Sequence, residues 1–337
     1  MVKNQGSRKL PFTKPTEAIS SGIESRRQTR VAQDPIIPGV SRELVPQIPE
    51  QYSEKWLQVD GLRVRYLHAG SGPTLILVHG LLGYSANWRY AVPLLAKSYE
   101  VFAPDLPGSG LSECSPVLDC SLSAASARLL RFLDAVEVDT CELVGSSYGG
   151  ATAVIAASVN PSRFRHLILV SPANPWSRIG RKRLRFLQVP LFAAIFPSVS
   201  RRVGLLHGYF MRRMYGDPRR VTAEILASHL LPVRRPGVLE HGVRMVRTWS
   251  ADMRAMEAAL PGLSKIPTLL VWGSRDRTVD PASAIPLSQH FESAEVEIID
   301  GAGHVPYEED PEKFAQIVLD FLAQSRSANE NPERVVT

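Results

Sequence analysis

Short apolar runs alternate with longer amphipathic or small-residue segments through much of the chain. Residues 75–78, 100–103, 141–144 and 166–170 form such runs, each short enough for a strand that is buried on both faces. Segments suited to helices separate them. This alternation predicts an α/β fold in which helices cover both faces of a doubly wound, mostly parallel sheet.

Two other patterns extend this prediction. Apolar and polar residues alternate from 56 to 69 around Asp60-Gly61, which is typical of an antiparallel hairpin. After residue 172 nearly ninety residues pass without a strand-like run, and strands resume at 268–272 and 294–299. A helical insertion between two strands of such a sheet favours a lid over the carboxyl ends of the strands, where these folds bind ligands.

These patterns divide the chain into regions. The first fifty residues are rich in Pro, Ser, Gln and charge and poor in aromatics, which predicts disorder. We therefore expect a disordered N-terminal extension at 1–50, a core at 51–172 and 261–326, a helical lid at 173–260, and a C-terminal tail at 327–337.

One pentapeptide between a strand-like run and a helix-forming segment carries candidate chemistry. Gly145-Ser146-Ser147-Tyr148-Gly149 matches G-x-S-x-G in the strand–turn–helix context that presents a serine hydroxyl to a substrate. The pentapeptide alone is also compatible with an ordinary Gly/Ser turn. A serine nucleophile requires a base within reach and an acid that orients the base.

An acid and a histidine follow in the order that this architecture uses. Asp276 comes after the strand-like run at 268–272, and His304 follows the run at 294–299 between glycines. Both positions are strand ends, so both side chains can converge above the sheet. Asp280 is the alternative acid, although it stands where it can cap a helix.

The sequence resembles the α/β-hydrolase superfamily, in particular its lid-bearing members. Five blocks carry the resemblance: His79-Gly80, residues 105–112, the G-x-S-x-G pentapeptide, residues 272–276, and residues 301–304 with 308–314. The blocks are specific for the fold and much less specific for the reaction.

The resemblance implies a role for each matching position. Ser147 would be the nucleophile, His304 the general base and then acid, and Asp276 the residue that holds the imidazole. The backbone N–H groups of Leu81 and Tyr148 would form the oxyanion hole. His79 and Asp105 match family positions that are usually structural.

The expected activity is cleavage of carboxylic esters with apolar acyl or aryl groups through an acyl-enzyme. Family members that open epoxides or remove halide carry aspartate in place of the serine, so Ser147 argues against both. Two alternatives remain open: hydrolysis of a carbon–carbon bond next to a ketone, and a ligand receptor that retains the triad. No cofactor or metal site is expected, because the histidines are scattered and none pairs with another at ligand spacing.

Charge and cysteine content bear on partners and location. Residues 173–260 contain 16 Arg or Lys and 5 Asp or Glu, which fits an anionic lipid surface or an acidic carrier protein, or simply solvated arginines. No nucleic-acid partner is expected, since no basic–aromatic module is present. Cys114, Cys120 and Cys141 form no C-x-x-C pair, which favours free thiols and a cytoplasmic protein. Peripheral membrane association is the alternative location.

Overall fold

The structure, a computed structural model, describes residues 52–179, 188–202 and 204–330. In this part of the chain an eight-stranded sheet has the order β1-β2-β4-β3-β5-β6-β7-β8. The strands are β1 (Ser53–Val59), β2 (Leu62–Ala69), β3 (Thr74–Val78), β4 (Glu100–Pro104), β5 (Cys141–Ser146), β6 (Phe164–Val170), β7 (Thr268–Gly273) and β8 (Ala294–Ile299). The predicted N-terminal extension at 1–50 lies outside the described residues.

The pairing of the strands confirms the predicted mostly parallel sheet. β1 and β2 form an antiparallel hairpin, β2 is antiparallel to β4, and all remaining neighbours are parallel. Asp60 and Gly61 form the hairpin turn with positive φ values of 52° and 76°. This is the backbone of the two-residue turns whose twist matches that of the strands.

Helices pack on both faces of the sheet. They are α1 (Val92–Leu95), α2 (Leu122–Ala135), α3 (Tyr148–Val159), α4 (Pro190–Arg202), α5 (Gly204–Met214), α6 (Ala223–Val233), α7 (Val238–Ala259), α8 (Ala284–Ser288), α9 (Pro306–Glu309) and α10 (Pro311–Glu330). α3 is buried along nearly its whole length, which explains its run of small residues. Among the described residues, no helix is both long and apolar enough to cross a bilayer.

Helices α4 to α7 lie between β6 and β7, within the segment predicted to be a lid at 173–260. A short 3₁₀ turn at Pro218–Arg220 interrupts this insertion, and another at Leu260–Leu263 follows its last helix. At the other end of the chain, α10 continues to Glu330, beyond the boundary predicted at residue 326. We call α4 to α7 the inserted helices.

His241 joins the inserted helices to the loop after β4. The ring is 3% exposed, and a Cβ added to Gly108 would come within 2.5 Å of it, so glycine is required at the contact. His241 Nδ1 also lies 3.3 Å from Cys120 Sγ. Burial, with smaller effects of Arg244 and Arg128, lowers the pKa of His241 to about 4.

The lowered pKa of His241 predicts acid sensitivity. An unfolded histidine has a pKa of about 6.5, so the folded state should lose stability as pH falls from about 6.5 to about 4. The loss from this group should be on the order of 2–3 kcal/mol. Urea unfolding of the wild type and His241→Gln at several pH values would measure it. Equal slopes of stability against pH in the two proteins would contradict the prediction.

Candidate active site

Ser147 occupies a strained turn between β5 and α3. Its backbone has φ 54° and ψ −119°, a conformation that costs a non-glycine residue about 1–3 kcal/mol. Surrounding hydrogen bonds hold the turn in place. The Ser147 N–H donates to the Val170 carbonyl at 2.9 Å, and the Ser147 carbonyl accepts from Gly150 and Ala173 at 3.0 and 2.9 Å.

Glycines make this turn sterically feasible. A Cβ on Gly145 would lie 2.4 Å from the Gly149 carbonyl oxygen, and one on Gly149 would lie 2.4 Å from the carbonyl oxygen of His79. A Cβ on Gly150 would lie 2.7 Å from Cβ of Pro172. Each of these three positions therefore leaves no room for a side chain, and the turn can close tightly onto the ends of β3 and β6.

Asp276 and His304 meet at the carboxyl ends of β7 and β8. His304 Nδ1 lies 2.8 Å from Asp276 Oδ2, and the two residues are only 2% and 4% exposed. Asp276 Oδ1 accepts from the N–H groups of Thr278 and Val279 at 2.7 and 3.0 Å. The backbone N–H of His304 donates to the Met214 carbonyl at 2.6 Å, so α5 holds the backbone of this residue while Asp276 holds its ring.

Ser147 and His304 line the same cavity, whose volume is about 1060 Å³. Among the described contacts, no hydrogen bond joins the Ser147 hydroxyl to the imidazole of His304. Such bonds often tighten only when a substrate is bound. The structure thus brings the serine and the Asp276–His304 pair to one site.

The predicted oxyanion donors also lie at this site. Leu81 lines the cavity, and a Cβ on Gly80 would lie 3.1 Å from Cβ of Ser147, which places this backbone beside the serine. Tyr148 is the first residue of α3, so its N–H has no acceptor within the helix. Within the described residues, neither N–H donates to another protein group. Both are available for an anion.

Three further titratable residues that the sequence analysis named form hydrogen bonds outside the Ser147–His304–Asp276 group. The His79 ring bonds the Gly80 carbonyl through Nδ1 and accepts the N–H of Leu106 at Nε2, and burial lowers its pKa. Fully buried Asp105 accepts from the N–H of Ser85 at 2.7 Å. Asp280 accepts from Ala282 at the start of the 3₁₀ turn Pro281–Ser283. These contacts agree with structural roles, and His304 bonds Asp276 rather than Asp280.

The cavity combines an apolar lining with a few polar groups. The inserted helices contribute Phe196, Phe210, Met211, Met214, Val246, Trp249 and Met253. Other apolar residues of the same helices, such as Leu191, Ile195 and Tyr209, are absent from the lining and are exposed. The polar side chains include Asn87, His207 and His229. Such a cavity has the size and character of sites that bind small organic molecules.

Glu308, on α9, joins several polar residues beside the cavity. It lies in the matching block 308–314, but the sequence alone assigned it no role. Its carboxylate, completely buried, accepts from Asn87 and His229 at 3.0 Å and from Tyr215 at 2.6 Å, and it pairs with Arg89. Burial would raise the pKa of Glu308, but the charges of His229 and Arg89 and the hydrogen bonds lower it to about 2. Its partners come from regions distant in sequence, so only the fold reveals the network.

The neighbouring Glu309, to which the sequence alone likewise assigned no role, stabilises the loop that carries His304. Its two carboxylate oxygens accept from the N–H groups of Gly303 and Gly216 at 2.6 and 2.8 Å. Burial raises its pKa, opposed by these bonds. Gly216 follows α5, so one carboxylate joins the backbone before His304 to the end of an inserted helix.

Comparison with known proteins identifies the class. The sequence profile of the alpha/beta hydrolase fold family matches residues 73–311. The chain therefore belongs to the α/β-hydrolase fold family, as its sheet order and the strained serine turn indicate. The family and its relatives support a hydrolase that acts on a small molecule.

The names of similar proteins indicate different hydrolytic activities for those proteins. The chain is 28% identical to 2-hydroxymuconate semialdehyde hydrolase from Pseudomonas sp. (strain CF600), over 80% of this chain and 93% of that protein. It is 26% identical to human monoacylglycerol lipase ABHD6, over 82% and 87%. The crystal structure of Cfl2 from Burkholderia cenocepacia matches with a TM-score of 0.72 at 24% identity, covering 80% and 96% of the two chains, which bears on the fold alone.

The steric contacts of the turn predict a strong effect of a single methyl group. Gly149→Ala should lower the free energy of unfolding by at least about 2 kcal/mol, because the new Cβ meets backbone atoms that cannot move easily. Urea unfolding would measure the change. Gly262→Ala is the matched control, since a Cβ there meets nothing within 4 Å and should change stability by less than about 1 kcal/mol. Similar stabilities of the two variants would contradict the prediction.

Proposed function

We propose that this protein is a serine hydrolase that cleaves carboxylic esters with apolar acyl or aryl groups. The observation that carries the proposal is the placement of Ser147, at positive φ in a glycine-locked turn, on the same cavity as a histidine bonded to a buried aspartate. Ser147 is the nucleophile, His304 the general base and acid, and Asp276 the residue that orients the imidazole.

The proposed reaction is acyl transfer to water. His304 accepts the Ser147 proton as Oγ attacks the ester carbonyl, and the N–H groups of Leu81 and Tyr148 stabilise the oxyanion. Comparable donors each contribute about 3 kcal/mol. The alcohol leaves with the proton from His304, and an acyl-enzyme remains. Water then gives a proton to His304 as it attacks the acyl carbonyl. His304 returns that proton to Ser147 Oγ as the acid leaves, which restores both residues.

Asp276 assists by fixing the imidazole rather than by reacting itself. Its Oδ2 holds Nδ1 of His304, so Nε2 is the nitrogen left to face the cavity. Its Oδ1 is occupied by two backbone N–H groups, which fix the carboxylate. The ring therefore needs little reorganisation during proton transfer.

We further propose that the inserted helices act as a lid that selects the substrate. Their apolar side chains form much of the cavity lining, including Phe196, Met211 and Trp249. An acyl chain or aromatic group placed among them would be removed from water. Esters with long acyl chains or aromatic groups should therefore bind more tightly than esters with short chains.

Hydrolysis of a carbon–carbon bond is the second candidate. A relative that covers most of both chains is named 2-hydroxymuconate semialdehyde hydrolase. Arginines at the cavity, such as Arg213 and Arg277, could bind the carboxylate of an acidic ketone substrate. The same triad serves both reactions, so turnover of the two substrate classes must decide.

Triad substitutions test the assigned roles. Ser147→Ala should lower kcat for a p-nitrophenyl ester by about 10⁵-fold or more, and Asp276→Asn by on the order of 10³- to 10⁴-fold, because the members act as one unit. Asp280→Asn is the matched control and should retain near wild-type kcat, since this side chain caps a 3₁₀ turn. Comparable losses at both aspartates, or full activity of Ser147→Ala, would refute the assignment.

Substrate competition tests the reaction type. We expect kcat/KM for p-nitrophenyl octanoate to exceed that for a 2-hydroxy-6-oxodienoate ring-fission product by at least tenfold, because the lining from the inserted helices is largely apolar. Absorbance assays on the same enzyme preparation provide both values. The opposite ratio would favour the carbon–carbon hydrolase. Labelling of Ser147 by a fluorophosphonate with negligible turnover of either substrate would favour a receptor.

A further inference from the structure

Helices α4 and α5 carry a group of large apolar side chains that are exposed to solvent. Leu191 and Ile195, one turn apart on α4, are 65% and 49% exposed. Phe192, on the same helix, and Tyr209 and Phe210 on α5 are also exposed, and the last two rings contact each other. α5 follows α4 directly in the chain, so these residues belong to two consecutive helices. Single exposed apolar residues are ordinary, whereas a group of them on adjoining helices indicates an interaction surface.

The exposed group meets the cavity at Phe210. Phe196 and Phe210 line the cavity from α4 and α5, and Phe210 is at the same time 41% exposed. Leu191 and Ile195 take no part in the lining. The two helices therefore have an inner side toward Ser147 and an apolar outer side. We call the latter the outer face and define it by Leu191, Phe192, Ile195 and Tyr209, with Phe210 at its boundary with the cavity.

Four arginines line the same cavity. Arg178, Arg213, Arg254 and Arg277 all line the cavity, against a single carboxylate in its described lining, Glu257. Three of these arginines are exposed, and half-buried Arg213 donates to the Arg277 carbonyl at 3.1 Å. They come from two strand-end loops and two inserted helices. We call them the rim arginines.

We propose that the outer face binds an anionic phospholipid bilayer, with the rim arginines directed at its head groups. Exposed aromatic and aliphatic side chains beside cationic ones are what an interfacial protein surface requires: the apolar groups enter the head-group region, and the cations approach anionic lipid. Residues 173–260 contain 16 basic residues and 5 acidic ones. Charge complementarity therefore favours an anionic bilayer over an uncharged apolar partner.

Docking in this orientation would open the cavity toward the lipid. An ester with a long acyl chain partitions into the bilayer and would reach Ser147 without crossing water. Access of such an ester to Ser147 matters only if the proposed ester hydrolysis is correct, whereas binding of the outer face to a bilayer does not depend on that activity. The experiment therefore measures binding separately from turnover, and Ser147→Ala should bind vesicles as the wild type does.

Co-sedimentation with vesicles tests the proposal. The full chain should bind vesicles of equal parts phosphatidylcholine and phosphatidylglycerol at least tenfold more tightly than phosphatidylcholine alone, and high salt should weaken binding. The double variant Leu191→Asp, Ile195→Asp should reduce binding at least tenfold. Its kcat for a soluble short-chain ester should not change, because neither side chain lines the cavity.

Ile285→Asp is the matched control, since this isoleucine is 65% exposed on α8, outside the inserted helices. It should bind vesicles as the wild type does, and equal melting temperatures would show that both variants fold. Equal binding to neutral and anionic vesicles would overturn the proposal, and so would a double variant that binds normally. A dimer that the double variant disrupts, or capture by an acidic protein without vesicle binding, would also overturn it.

Discussion

The conformation of Ser147 is the constraint on which the site depends. Its positive φ is unfavourable, and the turn holds because backbone hydrogen bonds to Val170, Gly150 and Ala173 fix it from several sides. Glycines next to the serine let the strand ends approach to distances that any side chain would prevent. The same geometry places Ser147 on the cavity and leaves the first N–H of α3 without an acceptor in the helix.

Carboxylates on α9 connect this site to the rest of the structure. Glu309 bonds the backbone next to His304 and the end of α5, and Glu308 gathers polar groups from the core and from α6. Because both are buried, losing a partner would leave a charge without compensation in a low-dielectric interior. The position of His304 is thus coupled to the packing of the inserted helices.

The inserted helices have two distinct environments. One side supplies the apolar lining over Ser147, and the other presents exposed apolar side chains. A segment that only covered a cavity would be expected to be polar on its outer side. The proposed functions of these helices, selecting a substrate and contacting a lipid surface, follow from this contrast.

The sequence alone was sufficient for the order of strands and helices and for the serine turn, because both depend on local signals: apolar periodicity and required glycines. The choice of Asp276 over Asp280 as the partner of His304 rested on the family resemblance, and the hydrogen bond between Asp276 and His304 is seen only in the structure. The sequence could not indicate Glu308 and Glu309 as braces, since their partners are brought together from distant segments. Nor could it separate apolar residues such as Phe196, which line the cavity, from Ile195, which faces outward. Only tertiary packing decides which side of a helix is covered, because neighbouring apolar residues look alike until another element lies against one of them.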